Sequence, residues 1–565
     1  MPTIGNSLSD LSSGFGASQI VAPGQARPFE RGEQRSRSLD HWEFVHIAVM
    51  PEQAIIGSGI IVSSASSRQK CELSKLRIAF GPSPRVKYFQ ACESCCRELM
   101  PHFPDEGQKP VTAHALRVAL FVHAFFPEHI YGTESYTLAL ARQLQALGHS
   151  PVVITAVSPG EPPQMSEVER YTVGDIPVLR IDRNLSPPRN AREEYDMPAL
   201  APLLERLLRE IRPDVAHVCH LGNFSVVLPQ VTEALGIPTF ATLTDFFNLC
   251  LNSLLQLPDG GLCAGPDARR LNCMTCGILM RRSERPSPFW AALAHPAVHH
   301  LAALAGTRLA PLLPPPLGTD ARAVIRRPKA FTAAMGRYQA AIAPTRYLKD
   351  TFEANGVTLP LVHSAFGIDI DRRPKPPAGD RPVRFGFIGQ ILMHKGPHLL
   401  LQALRLLPVD AFTLDIWGSD KLYPDYARDL RSVAGSMPVT FNAPFAEHRM
   451  AEVLSQVDVL VLPSTWFENG PLTLLKALAT HTPVVVSDVP GMTEFIQEGI
   501  DGFAFPRGDV DALAAVLRRF VEAPDLARRM SAATAYPRTE RAMALEVLDL
   551  YARFGGRPAP VAGAA

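Results

Sequence analysis
Net charge is nearly missing from this chain of 565 residues, in which 56 Lys and Arg stand against 55 Asp and Glu. A near-neutral surface has no global field with which to recruit nucleic acid, so a nucleic-acid partner is excluded. Long apolar runs are missing too. No stretch reaches 18 uncharged apolar residues, which predicts no transmembrane helix. The first residues, MPTIGNSLSD, lack the basic segment and apolar core of a secretory leader. Cysteine is scarce, nine in all, and the odd count suits a reducing compartment better than a disulfide framework. These absences predict a cytoplasmic protein. What remains is an ordinary globular composition, 46% hydrophobic and 20% charged, at a length that suits two to four domains.

Proline is frequent, 52 in all, and many sit in the N-terminal region and around 286–328, marking loops and linkers. Residues 1–112 are rich in Ser, Gly and Arg with only brief apolar runs, and read as an extension that is largely disordered. Within it, Cys92, Cys95 and Cys96 read either as half of a metal site or as a fragment without a partner pair. Regular grammar begins near Leu116. LRVALFVHAFF predicts a buried strand, PEHIYGTES a glycine turn and YTLALARQLQALG an amphipathic helix, with SPVVITA as the next strand. The pattern repeats through helices over 199–212 and 223–235 and strands DVAHVCH and IPTFATLTD. Alternation of this kind predicts a doubly wound α/β domain over 113–360. An insertion over 246–330 interrupts it. Its apolar part, 277–328, reads as a helical insertion packed on its own domain or as a membrane-surface helix. A Pro/Lys/Arg-rich linker or hinge follows over 361–383, then a second Rossmann-like domain over 384–540. The closing segment, 541–565, is expected to return a helix to the first domain before a short tail.

The densest information lies in 463–502, PSTWFENGPLTLLKALATHTPVVVSDVPGMTEFIQEG with IDG after it. It reads strand, turn, helix, strand, turn, helix, the order of a parallel sheet covered on both faces. Ligands of such sheets sit beyond the carboxyl ends of the strands. A glycine turn that opens a helix suits a phosphate, because backbone N–H groups and the helix N-terminus both favour an anion.

These residues resemble the donor-binding half of a GT-B glycosyltransferase of retaining family 4. The family pattern places two Glu residues eight positions apart; Glu468 fills the first and Lys476 stands in the second. In GQILMHKG, Lys395 matches the family's lysine, whereas Gln390 replaces its arginine. Gly148 and His149 match a GH pair that closes the first helix. The resemblance covers about three quarters of the chain and implies two Rossmann-like domains facing a cleft.

It also implies roles. Gly389, Gln390, Lys395, Glu468, Asn469, Gly470, Pro471, Leu472, Thr473, Lys476 and Glu494 would line the donor side, with Glu468 on sugar hydroxyls and the amides of Gly470, Leu472 and Thr473 on the diphosphate. Gly132, Thr133, His123, His220 and Thr244 would lie on the acceptor side. Thr244 stands where the family has a His, and a hydroxyl cannot replace an imidazole in proton transfer. Asp245 therefore joins Glu468 and Lys395 as a catalytic candidate. Lys476 is expected to point into the cleft, near Lys395 or the 470–473 amides, and to replace the missing cation. No metal is required for catalysis. Cys250, Cys263, Cys273 and Cys276 are read as a structural zinc set or as free buried thiols.

The activity so implied is transfer of a sugar from a nucleotide-sugar donor to a glycan, lipid-linked or small-molecule acceptor with retention. Surface polysaccharide or glycoconjugate synthesis is the expected setting, with peripheral membrane contact allowed. Two alternatives stay open: a degenerate GT-B protein that binds sugar or nucleotide without turnover, and a GT-B nucleotide-sugar epimerase.

Overall fold
The computed structural model describes residues 114–284, 287–372, 381–523 and 525–555, together with the backbone of four short segments before them. Those segments form two antiparallel pairs, Val49–Met50 with Gln53–Ala54 and Leu73–Arg77 with Tyr88–Cys92, in a unit spanning 14–109. The expectations placed on 1–112, including the Cys92, Cys95 and Cys96 trio, otherwise lie outside the described residues.

Regular structure from Arg117 onward begins with β1 (Arg117–Phe121), α1 (Gly132–Ala146), β2 (Ser150–Val157), β3 (Val168–Val173), β4 (Ile176–Asp182), α2 (Ala201–Ile211), β5 (Val215–Val218), α3 (Leu228–Ala234) and β6 (Thr239–Thr242). In β5 and β6 every residue is buried, as expected of strands covered on both faces. Helix α2 buries Leu204, Leu207, Leu208 and Ile211, the three-and-four spacing of one helical face. The helix expected over 223–235 is shorter. Asn223 and Ser225 adopt positive φ of 70° and 64°, which holds a turn ahead of α3.

The insertion supplies four helices, α4 (Leu271–Glu284), α5 (Pro288–Leu293), α6 (His299–Leu309) and α7 (Leu317–Met335). They share a small core of Met274, Ile278, Ala294, Ala303, Ala310 and Ala321. Tyr195 ties α7 to the first domain by donating to the Ala323 carbonyl at 2.9 Å. Among the described residues no helix is long and apolar enough to cross a membrane.

The first sheet closes with β7 (Ala340–Ala343), α8 (Arg346–Ala354) and β8 (Leu361–His363). Its order is β8-β7-β6-β5-β1-β2-β4-β3, parallel except for the β3–β4 hairpin. Strand β8 occupies the edge of this sheet, so the passage to the second domain starts after His363 rather than at 361.

The second sheet contains β9 (Val383–Ile388), β10 (Phe412–Trp417), β11 (Val439–Asn442), β12 (Val459–Leu462), β13 (Val484–Ser487) and β14 (Gly502–Phe505). Its order is β11-β10-β9-β12-β13-β14 and every pairing is parallel. Helices α9 (Pro397–Leu404), α10 (Pro424–Ala434), α11 (Met450–Ser455), α12 (Leu472–Ala479), α13 (Val510–Glu522) and α14 (Asp525–Ala533) accompany it.

The last helix, α15 (Glu540–Phe554), leaves the second domain. Its Met543, Val547, Leu548 and Tyr551 share one core with Val118 and Leu120 of β1 and Leu140 of α1. There the Tyr551 hydroxyl meets His217 Nδ1 at 2.8 Å, and His217 Nε2 meets Thr242 Oγ1 at 2.9 Å. Two doubly wound parallel sheets of this kind make the GT-B architecture that the resemblance implied. Strand order reverses between β1 and β5 in the first sheet and between β9 and β12 in the second. The crevice beyond the carboxyl ends at such a switch point is where open α/β sheets bind ligand.

Candidate functional site
On the second domain the switch point is built by the turns after β9 and β12. Gly396 has φ +72°, and a Cβ there would stand 1.9 Å from the Pro463 carbonyl, so only glycine lets these turns touch. That closeness brings Lys395 onto Glu468, Nζ to Oε1 at 2.8 Å. Ser464 Oγ and Trp466 Nε1 donate to the same oxygen at 2.6 and 2.9 Å. The lysine also lies over the Trp466 ring, 4.8 Å from its centroid. Burial alone would raise the Glu468 carboxyl; the Lys395 charge and the three donors overcome it and hold it below the ordinary carboxylate range. Glu468 is thus an oriented anion at neutral pH. Gly470 turns the chain at φ +72° into α12, placing Gly470 to Thr473 at the start of that helix. Gln390, beside Gly389, follows β9 directly.

On the first domain the residues after β1 and β5 converge. The rings of His123 and His220 lie 4.0 Å apart. His220 Nδ1 accepts the Gly222 amide at 3.0 Å, so its proton sits on Nε2, which meets Asp245 Oδ2 at 3.1 Å. Asp245 Oδ1 in turn accepts the Phe247 amide at 2.8 Å. Behind His123 stands Glu134 of α1, Nε2 to Oε1 at 3.5 Å. Burial, then the neighbouring His220 and His129, keep His123 well below the ordinary histidine range. Burial raises Glu134. His123 Nδ1 and Glu134 Oε2 are buried without a hydrogen-bond partner among the described residues. Gly132 and Thr133 open α1 next to them. Thr244 gives its hydroxyl to the Cys219 carbonyl at 3.1 Å, while its own carbonyl accepts from Asn469 Nδ2 at 3.5 Å. That last contact joins the two switch points.

Three expectations are corrected. Lys476 does not reach Lys395 or a free phosphate position; its ammonium is ion-paired with Glu447, at the foot of α11. Its helical position aims it at that neighbouring segment, so its charge is already neutralised. Glu494 accepts the Arg346 amide at 2.9 Å and caps the N-terminus of α8, a structural contact between domains. The four cysteines of the insertion do not assemble as a zinc set. Among the described residues, no group of three or more His, Cys, Asp or Glu side chains could hold a metal ion. Cys250 donates to Asn252 Oδ1 at 2.9 Å, Cys263 to the Gly265 carbonyl at 3.5 Å, and Cys276 faces Met280 Sδ at 3.9 Å. Burial raises the Cys273 thiol to about 12, so it stays protonated. His149 is likewise structural: its Nδ1 accepts the Leu116 amide at 3.1 Å at the head of β1.

Sequence reasoning missed Glu134, Ser464 and Trp466. Each stood inside a turn already singled out, GTE for the first and PSTWFE for the other two, so position in the turn was the available signal.

Two doubly wound domains whose switch points meet through Asn469 and Thr244 define a GT-B protein. Comparison narrows the class. The family described as Glycosyl transferases group 1 matches residues 369–535, and Glycosyltransferase Family 4 matches 130–252. The two matches, one in each domain, support a group 1 glycosyltransferase of GT-B fold. It is similar to a D-inositol 3-phosphate glycosyltransferase of Streptomyces griseus, 30% identical over 33% of this chain and 46% of that protein. It is also similar to an amylovoran biosynthesis glycosyltransferase of Erwinia amylovora, 27% identical over 25% of this chain and 36% of that one. The chain spans about half the length of the first curated relatives it matches. Among solved structures, a sucrose-phosphate synthase from Thermosynechococcus elongatus shares the fold at a TM-score of 0.52 and 16% identity, over 78% of this chain and 100% of that one.

Proposed function
We propose that this chain transfers a sugar from a nucleotide-sugar donor to an acceptor hydroxyl, with retention at the anomeric carbon and without a catalytic metal. The observation that carries the reading is the Lys395–Glu468 pair at the carboxyl ends of β9 and β12, across from His220 and Asp245. Glu468 holds donor-sugar hydroxyls, because a carboxylate accepts from two vicinal hydroxyls at once. Lys395 and the amides of Gly470, Leu472 and Thr473 take the diphosphate, where charge grows as the bond to the anomeric carbon breaks. The acceptor oxygen bonds that carbon from the same face, and its proton passes to the departing phosphate oxygen. His220 and Asp245 orient the acceptor. Surface polysaccharide or glycoconjugate synthesis is the setting proposed, in keeping with the amylovoran biosynthesis named for the Erwinia amylovora relative.

One observation favours a second reading, binding without turnover. Gln390 carries no charge, and Lys476 is ion-paired with Glu447, so among the predicted donor-side residues only Lys395, itself paired with Glu468, is left as a cation for the diphosphate. Melting the protein with UDP-, GDP- and ADP-sugars tests both, since a ligand of the native state raises its melting temperature. Transfer predicts a shift with one class and acceptor-dependent release of its nucleotide. A shift without release selects the second reading. No shift with any class sinks both.

A further inference from the structure
Beside the acceptor-side turn the insertion helices enclose a cavity of about 450 Å³, a volume typical of small-molecule sites. Its wall is mostly apolar, with Leu251, Met274, Ile278, Trp290 and Leu293 among its residues. Two features set it apart from a packing defect. Phe247 belongs to the wall, and its ring also lies 4.8 Å from that of His220, so the cavity and the acceptor-side pair share one side chain. The second is Arg327, also in the wall and only 5% exposed. Its Nη2 donates to the Phe247 carbonyl at 2.6 Å, its plane lies over Phe331 at 4.3 Å, and its Nη1 has no hydrogen-bond partner among the described residues. Burial lowers its pKa to about 10, which leaves it charged at neutral pH. A buried cation with an unused donor is costly unless an anion joins it. Apolar residues continue from the cavity to the surface. Phe289 lines it and is 50% exposed, and Leu301 and Leu312 of the same insertion are 67% and 80% exposed.

We propose that this cavity holds the apolar chain of an anionic amphiphile, with a phosphate or carboxylate on Arg327 Nη1, and that this amphiphile is the acceptor. The proposal rests on reading His220 and Asp245 as the acceptor side. Its occupant is a chain rather than a second sugar, because the wall is mostly apolar and, of its cations, Arg281 is already ion-paired with Asp320, with Glu194 as the other charged residue beside Arg327.

The test uses the full chain without donor, titrated with dodecyl phosphate, dodecanoate and dodecanol by calorimetry. At least one anionic probe binds tenfold or more tighter than dodecanol, and the better of the two identifies the head group. Arg327→Met removes that preference and leaves dodecanol binding unchanged. Gly277→Leu, whose Cβ meets only ordinary contacts with Leu251 and Val324, extends into the cavity and weakens all three probes tenfold or more. 12-Bromododecanoate quenches Trp290 fluorescence, and Trp290→Phe abolishes the saturable part of that quenching. Melting curves confirm that each variant is folded. Equal affinity for dodecanol and both anions, or quenching unaltered in Trp290→Phe, overturns the proposal. Nucleotide-sugar melting shifts in the same samples separate the two readings. Shifts without amphiphile binding sink the cavity proposal alone, and amphiphile binding without shifts sinks the transferase reading while the cavity site stands.

Discussion

Lys395 and Glu468 meet at 2.8 Å between the turns after β9 and β12. The pair keeps the carboxylate ionised and aims both groups at the same crevice. Glu468→Ala removes the anion and leaves Lys395 with no counter-charge. We expect kcat/KM for transfer to fall about 100-fold or more, the scale of a lost preorganised polar contact. Lys395→Met should instead weaken nucleotide-sugar binding and flatten its salt dependence. Full transfer by Glu468→Ala would remove this turn from the donor site.

Lys476 is committed to Glu447, so Lys476→Ala should change donor affinity less than about threefold, with no added salt dependence. A double-mutant cycle with Glu447→Ala should give a coupling of about 0.5–1 kcal/mol, since Glu447 is half exposed. A large loss of donor affinity in Lys476→Ala alone would show that the lysine turns to the ligand.

Gly491 supports the donor turn from behind. Its φ is +85°, and a Cβ there would stand 1.6 Å from the Glu468 carbonyl oxygen. Gly491→Ala must therefore move the Glu468 backbone. The expected outcome is loss of the nucleotide-sugar melting shift with about 1–3 kcal/mol of destabilisation in denaturant titrations. An unaltered shift would mean the turn can relax without disturbing the site.

Asp458 ties the start of β9 to the start of β12 through Arg381 and Arg384, at 2.7 and 3.0 Å. Burial would raise its carboxyl, but the hydrogen bonds from both arginines bring it down to about 2. A folded pKa below the unfolded one adds stability above about pH 4, and that stability is lost as pH falls towards 2. The contribution at neutral pH is about 2 kcal/mol. Asp458→Asn should remove it and flatten the stability profile between pH 4 and 2.

His217, buried between Thr242 and Tyr551, is lowered by burial to about 3. The unfolded chain takes a proton here near pH 6.5 while the folded chain does not, so stability declines as pH drops from about 6.5 towards 3. His217→Gln should flatten this limb. Tyr551→Phe should loosen α15 at neutral pH, read as faster amide exchange in that helix.

Local pattern carried much of this architecture. Apolar runs such as VALF, VLVL and VVVS announce buried parallel strands, because both faces of such strands are covered and no polar alternation is needed. Turns carrying Gly396, Gly470 and Gly491 announce strand-to-helix passages, and they stand at the carboxyl ends of their strands. Glu468 and Lys395 were legible for that reason. Partners distant in sequence were not. Lys476 finds Glu447 twenty-nine positions earlier, Glu494 caps a helix of the other domain, and Arg327 closes against Phe247 eighty positions away. The cysteine spacing allowed a zinc set, yet in the packed loop Cys250 and Cys276 both meet Asn252 while Cys263 meets the Gly265 carbonyl and Asn272. Periodicity is a property of a few consecutive residues and survives any arrangement of the rest. Which charges meet, which partners the thiols take and where a cavity opens depend on strand order and helix docking, which only the packed chain decides.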